Sequence, residues 1–165
     1  LASSRADSPR PARANAIGAA VCAIAFLHYS WMREAGNDEE ERTRLRYGDW
    51  VVTCPLLLLE LQEMARVSES ARVLPLAGVV AMVGIGYAAA RARGARRHLL
   101  FSVSSLVLAT VVHSTLSHAK ERKWLVASFF SLWAAYPVAF LVGKDAAFDV
   151  LDAASKGAFG LYVAL

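Results

Sequence analysis

Apolar residues in this chain come in six runs separated by short polar stretches, at about residues 16–33, 45–65, 73–90, 98–117, 123–142 and 147–165. Each run is close to the ~20 residues a helix needs to cross a hydrocarbon core. The pattern predicts an all-α, polytopic membrane helix bundle forming a single domain over residues 1–165. The second run, RYGDWVVTCPLLLLEL at residues 46–61, carries two carboxylates, Asp49 and Glu60. Eleven positions is about three helical turns, roughly 16 Å of rise and only about 20° of rotation, so both acids share one stripe at two depths. Thr53 lies one turn from Asp49 on that stripe, and Leu56 and Leu57 continue it. A carboxylate inside an apolar span is costly; it usually faces a bundle interior and marks an ion or proton path. Pro55 falls inside the run, which membrane helices tolerate where neighbours satisfy the freed carbonyl.

Composition sharpens the membrane reading. The chain is 56% hydrophobic with a mean hydropathy of +0.39, too apolar for an ordinary soluble domain. The net charge of +4 sits on arginines between the runs and calls for no nucleic-acid partner. Cys22 and Cys54 lie in apolar runs as free thiols, with no metal or redox spacing. There is no cleavable signal peptide, and Leu1 is not an initiator methionine, so the true N-terminus is expected to be missing. Residues 1–15 read as a polar loop and 33–44 as a charged connection whose acid run is a solvated face. The remaining breaks are a polar turn at 66–72, a basic turn at 91–98 and a polar stretch at 117–123.

The other runs hold several polar or shape-bearing groups with two readings each. His28, in FLHYSWMR, is either an interfacial histidine among aromatics or the partner of a bundle carboxylate. Gly84 and Gly86 either let helices pack closely or, with Met82, leave room for a ring-shaped ligand. Ser102, Ser104 and Ser105 are candidates for helix-to-helix hydrogen bonds, and His113 is read as structural. Trp133, Tyr136, Pro137 and Phe140 share one face by their spacings, as core packing or as a cofactor wall. Asp152 and Lys156 are one turn apart and face the same way. They are either a self-neutralising ion pair or a site where a buried lysine, which loses its proton easily, condenses with an aldehyde.

Motifs on five of the six runs resemble the microbial rhodopsins, the retinal-binding seven-helix membrane proteins. RYGDWVVTCPLLLLEL is similar to their third helix; Asp49, Thr53 and Glu60 match the outward proton pumps, and glutamate at the third position resembles the proteorhodopsin and xanthorhodopsin branches. HYSWMR resembles the second helix, whose histidine hydrogen-bonds the counterion aspartate. MVGIG resembles the fourth helix beside the ionone ring, WAAYP the sixth helix whose aromatics sandwich the polyene, and LDAASK the seventh, whose lysine binds retinal. The fold implied is the seven-helix rhodopsin type, with the first helix (LASS its tail) and parts of some loops missing from this chain. Sixteen residues from Tyr136 to Asp152 are too few for the end of one crossing helix, a turn and the outer half of the next, so stretches are expected to be absent there and between the fifth and sixth runs. Charge does not fix the orientation; by resemblance the 91–97 turn lies outside.

The resemblance implies a light-driven outward proton pump, not an enzyme, with all-trans retinal on Lys156 as a protonated Schiff base. Asp49 and Asp152 would be its counter-charges, with Arg46 balancing the excess. Asp49 would be the primary proton acceptor, Thr53 would gate that transfer, and His28 would hold Asp49. Glu60, in an apolar setting that disfavours its charged form, would hold a proton and return it from the inner side. Trp50, Leu57, Met82, Gly86, Trp133, Tyr136, Pro137, Phe140 and Ser155 would line the pocket. An apolar Leu57 implies green rather than blue absorption, which Ser155 could modify. The implied setting is a multi-pass protein of a bacterial cell membrane, contacting lipid and forming a homo-oligomer of five or six, with no nucleic acid; a carotenoid antenna has no support in the chain. Rival readings are a sensory rhodopsin, disfavoured by Glu60, and a light-gated channel, for which no row of carboxylates is present. An anion pump is disfavoured by the acidic Asp49. A non-photochemical helical membrane protein is the remote alternative.

Overall fold

In a computed structural model of the chain, residues 12–36, 38–143 and 145–158 are described, and every regular element among them is helical. The order is α1 (Ala12–Glu34), α2 (Glu39–Met64), α3 (Glu69–Arg91), α4 (Gly94–His118), α5 (Lys123–Trp133), α6 (Ala135–Val142) and α7 (Asp145–Asp152), the last running into a π-helical turn, Ala153–Ala158. Among the described residues four segments, Arg13–Glu34, Glu69–Arg91, Gly94–His118 and Lys123–Val142, are long and apolar enough to cross a membrane by length and composition. Large apolar side chains point outward along them, with Phe26, Val73, Leu74, Leu106 and Val138 all at least 60% exposed. Such a surface suits lipid rather than water.

Several boundaries differ from those read from the sequence. Helix α1 begins at Ala12, inside the stretch read as a loop; residues 1–11, including the LASS segment, lie outside the described residues. Helix α2 begins at Glu39, so the acid run taken for a solvated connection is its first turn. The cause is local: Asp38 caps the helix by accepting from the Glu41 amide at 3.0 Å, and Glu39, Glu40 and Glu41 meet the positive end of the helix dipole. The basic turn shrinks to residues 92–93, because α4 starts at Gly94. The fifth run is two helices broken at Ala134. Pro137 lacks an amide hydrogen and cannot bond the carbonyl of Trp133, so the break falls where that ladder fails. The last run is α7 plus the π turn, and residues 159–165 lie outside the described residues.

The connection from Tyr136 to Asp152 is also shorter than a pair of full crossing helices requires, yet it closes. Helix α6 ends two turns past Tyr136, at Val142. Gly143 takes φ +68°, the left-handed C-terminal turn that glycine adopts without strain. Helix α7 then returns, and Tyr136 reaches Asp152 with a 2.5 Å hydrogen bond. Helices α6 and α7 have only eight residues each, so this connection holds no pair of full crossing helices, as expected from its 16 residues.

Helices α1 and α2 run antiparallel, so His28 faces Asp49 at one level and Arg13 faces Glu63 at another. The buried core lies between α2, α3, α4 and α5, with Leu57, Leu58, Leu61, Val79, Val111, Val126 and Phe130 among its members. At the end where α2 stops, the Ala65 carbonyl accepts from the amides of Lys120 and Glu121, joining two turns. Of the three serines read as interhelical, Ser104 bonds across to the Met82 carbonyl at 2.9 Å. Ser105 bonds back to Phe101 in its own helix, and Ser102 is exposed. His113, read as structural, is exposed on α4.

Close packing of α3 on α4 depends on Gly78 rather than Gly84: a Cβ at Gly78 would sit 2.8 Å from Val111 Cγ2, whereas one at Gly84 meets nothing within 4 Å. Gly78→Ala should lower thermal stability in detergent by about 1–3 kcal/mol through overpacking. Gly84→Ala should leave the melting temperature unchanged, and adding Val111→Ala to Gly78→Ala should recover part of the loss.

Candidate functional site

The π turn brings Lys156 into the bundle. One extra residue per turn widens the coil there, a feature frequent at functional sites, and the lysine is 5% exposed. Its Nζ donates to Asp49 Oδ2 on α2 and, at 3.2 Å, to Asp152 Oδ2 one turn back. The two carboxylates are held differently. Asp152 accepts from Tyr29 Oη on α1 at 2.8 Å, from Trp50 Nε1 on α2 at 2.9–3.0 Å and from Tyr136 Oη on α6 at 2.5 Å. Asp49 has fewer donors: Thr53 Oγ1 is 3.4 Å from Oδ2 while making its shorter bond, 2.9 Å, to the Asp49 carbonyl. Asp49 Oδ1 has no hydrogen-bond donor among the described residues.

His28 does not hydrogen-bond Asp49, contrary to the reading from sequence. Its Nδ1 is 3.9 Å from Asp49 Oδ1 and 3.1 Å from the Ile24 carbonyl one turn back on its own helix. The ring lies beside the carboxylate, but the backbone carbonyl has taken the nitrogen that would reach it. Arg46 is buried and pairs with Asp149 Oδ1 at 3.2 Å, its guanidinium 5.2 Å from the centre of the Phe148 ring. Arg42 approaches the other oxygen of Asp149 at 3.6 Å. The charge expected to balance Asp49 and Asp152 is thus shared with a third carboxylate.

An apolar cleft, partly open to the outside, extends from Lys156 between α2, α3, α4 and α6. Every residue assigned to a retinal pocket from sequence lines it: Trp50 and Leu57 from α2, Met82 and Gly86 from α3, Trp133 from α5, Tyr136, Pro137 and Phe140 from α6, and Ser155 beside the lysine. At Gly86 a Cβ would lie 3.3 Å from the Tyr47 ring, close enough that Tyr47 would have to shift by a few tenths of an ångström. Far from the lysine's own helix, Phe101 stacks on Phe140 at 4.9 Å, with the Arg97 guanidinium 4.7 Å above Phe140. A long apolar cavity ending in one amine between two carboxylates fits an elongated apolar aldehyde such as retinal.

Glu60 lies elsewhere on α2. It is fully buried, and neither carboxyl oxygen has a hydrogen-bond partner among the described residues. It faces Gly18 of α1, where a Cβ would come within 2.7 Å of Oε1. The stripe read from helical period holds: Asp49, Thr53 and Glu60 all point inward.

Sequence reasoning missed Tyr29, Asp149, Phe101 and the place of Ser104 on the cavity wall. Tyr29 adjoins His28 in the motif that was noticed, and Asp149 is three positions before Asp152 on the same face. Both signals were present. Phe101 and Ser104 reach the cavity only through the pairing of α3 with α4, which no local pattern encodes.

The family model described as Bacteriorhodopsin-like protein matches residues 1–165. The chain is 30% identical to bacteriorhodopsin of Halobacterium salinarum, over 88% of this chain and 68% of that protein. It is 28% identical to sensory rhodopsin III of Haloarcula marismortui, over 81% of this chain, and spans 61% of that protein's length. The light-driven proton pump LR (Mac) of Leptosphaeria maculans superposes with a TM-score of 0.80, covering 94% of this chain and 83% of that one at 21% identity, a likeness of fold.

Lys156→Ala would leave two facing buried carboxylates without their cation, an arrangement that costs about 3–5 kcal/mol. Thermal unfolding should show a loss of that order, and Lys156→Ala combined with Asp49→Asn should regain much of it. Equal stability of the single and double variants would contradict the pairing.

Proposed function

Because this chain belongs to the bacteriorhodopsin-like family of microbial rhodopsins, membrane proteins that use retinal as light-driven transporters or sensors, we propose that it is a light-driven outward proton pump carrying all-trans retinal on Lys156. The observation that carries the reading is one buried amine with carboxylates at two depths of a single helix: Asp49 in contact with Lys156 Nζ, and Glu60 about three turns away in a dry interior. Retinal held on Lys156 would supply light absorption and a photoisomerisation. The chain's own groups do the rest.

Asp49 is the acceptor of the Nζ proton. Asp152, with donors from Tyr29, Trp50 and Tyr136, is a well-supported anion and gains little from a proton. Asp49 draws its main support from the lysine itself, so losing that charge leaves it the poorer anion and the better proton acceptor. Thr53 fixes the Asp49 end of α2 and tracks Oδ2. Glu60, with no hydrogen-bond donor on either oxygen among the described residues, is stable as the neutral acid and holds the proton that returns to Nζ. An acid on either side of the amine, each reached at a different stage, makes transport directional. The apolar Leu57 on the cavity wall favours green absorption. The setting is a cell membrane, with Glu60 towards the inner face.

A sensor is the second reading, since one relative carries that name; Glu60 favours the pump, because a sensor needs no fast inner donor. The purified full chain should turn pink with all-trans retinal, and Lys156→Ala should stay colourless. Cells expressing the chain should acidify their medium in light, an effect abolished by a protonophore. Glu60→Gln should keep the colour and slow photocycle recovery by about tenfold or more; a coloured chain with no light-driven acidification would favour the sensor.

A further inference from the structure

At the Glu60 end of the bundle a second acid has no role in the pump just described. Glu63 lies one turn beyond Glu60, three positions on, so the two share a face of α2. The antiparallel pairing of α1 and α2 puts Gly18 against Glu60 and, further out, Arg13 against Glu63. Glu63 Oε1 receives Arg72 Nη1 from α3 at 2.5 Å and Arg13 Nη1 from α1 at 3.2 Å. Three helices therefore meet on one carboxylate oxygen, directly above the dry pocket of Glu60.

The two arginines are not equivalent. Arg72 is only 12% exposed and is fixed a second time, by Nε donating to the Val67 carbonyl at 2.8 Å. The Arg13 side chain is 62% exposed. Exposed ion pairs are worth about 0–1 kcal/mol, so water exchanges readily with Arg13 and not with Arg72. A plug of leucine would have to be unpacked to admit water; this one needs only to be hydrated.

We propose that Glu63 is the residue through which Glu60 takes up its proton from the adjacent aqueous side, with Arg72 holding it in place and Arg13 as a removable latch. The inference rests on the reading of Glu60 as inner donor. Water displaces Arg13, and a proton from solvent binds the Glu63 carboxylate, which Arg72 still holds. That proton passes to Glu60, ionised after giving its own proton towards Lys156 Nζ. Glu63 returns to the anion and re-engages Arg13. One proton leaves the solvent, one arrives at Glu60, and only O–H bonds are made and broken.

The test uses the full chain loaded with all-trans retinal in lipid nanodiscs, following cycle recovery by visible absorption and proton uptake with a pH-indicating dye. Glu63→Gln should slow uptake by about tenfold, an added barrier of about 1.4 kcal/mol, without altering colour or the first transfer to Asp49. Glu63→Asp, which keeps a carboxylate, should stay near the parent rate. Arg13→Gln removes a mostly exposed group and should quicken uptake; it carries the test alone if the Glu63 variants fail to bind retinal. Parent-like uptake in Glu63→Gln, or in Arg13→Gln where it stands alone, overturns the inference, whatever happens to thermal stability. A Glu60→Gln chain recovering at the parent rate overturns the donor reading itself, and this inference with it.

Discussion

The contact between Lys156 and its two carboxylates sets the terms for everything around it. An ammonium and two carboxylates taken out of water lose several kcal/mol of solvation each, and the charges recover it only if their geometry is held. The fold holds it from four directions: α2 brings Asp49 and Trp50, α1 brings Tyr29, α6 brings Tyr136, and the π turn aims the lysine. The short α6–α7 hairpin serves the same end, since its length brings Tyr136 and Asp152 to hydrogen-bonding distance.

That arrangement also explains why the two aspartates are not interchangeable. Three donors converge on Asp152, so its charge is dispersed whether or not the lysine is charged. Asp49 relies on the amine, with His28 turned to its own backbone and Thr53 engaged chiefly with a carbonyl. Asymmetry between neighbours, more than the identity of either residue, decides where a proton can go. Arg46 extends the same network outward through Asp149 and Arg42, so charge is compensated in a chain of alternating signs rather than at one point.

Along α2 the environment changes from crowded with donors to bare. At Asp49 the helix meets polar groups on three neighbours; at Glu60 it meets the backbone of α1 across Gly18, and neither oxygen has a hydrogen-bond partner among the described residues. One turn further, at Glu63, arginines reappear. A single helix thus crosses three electrostatic regimes.

Much of this was written in the sequence because membrane helices are periodic and intolerant of charge. The spacing of Asp49, Thr53 and Glu60, the aromatic face at Trp133, Tyr136 and Phe140, and the i, i+4 pair of Asp152 and Lys156 each follow from 3.6 residues per turn. Those local patterns determined an all-helical bundle, its inward faces and the residues that line the cavity. What the sequence did not determine was anything requiring two helices at a known register. That His28 would give its nitrogen to Ile24, that Tyr29 would reach Asp152, that Asp149 would engage Arg46, and that Gly18 would bare Glu60 all depend on a few ångströms of sliding between α1, α2 and α7. A helical pattern fixes direction around one axis. Distance between axes comes only from packing, and hydrogen bonds form or fail within about half an ångström.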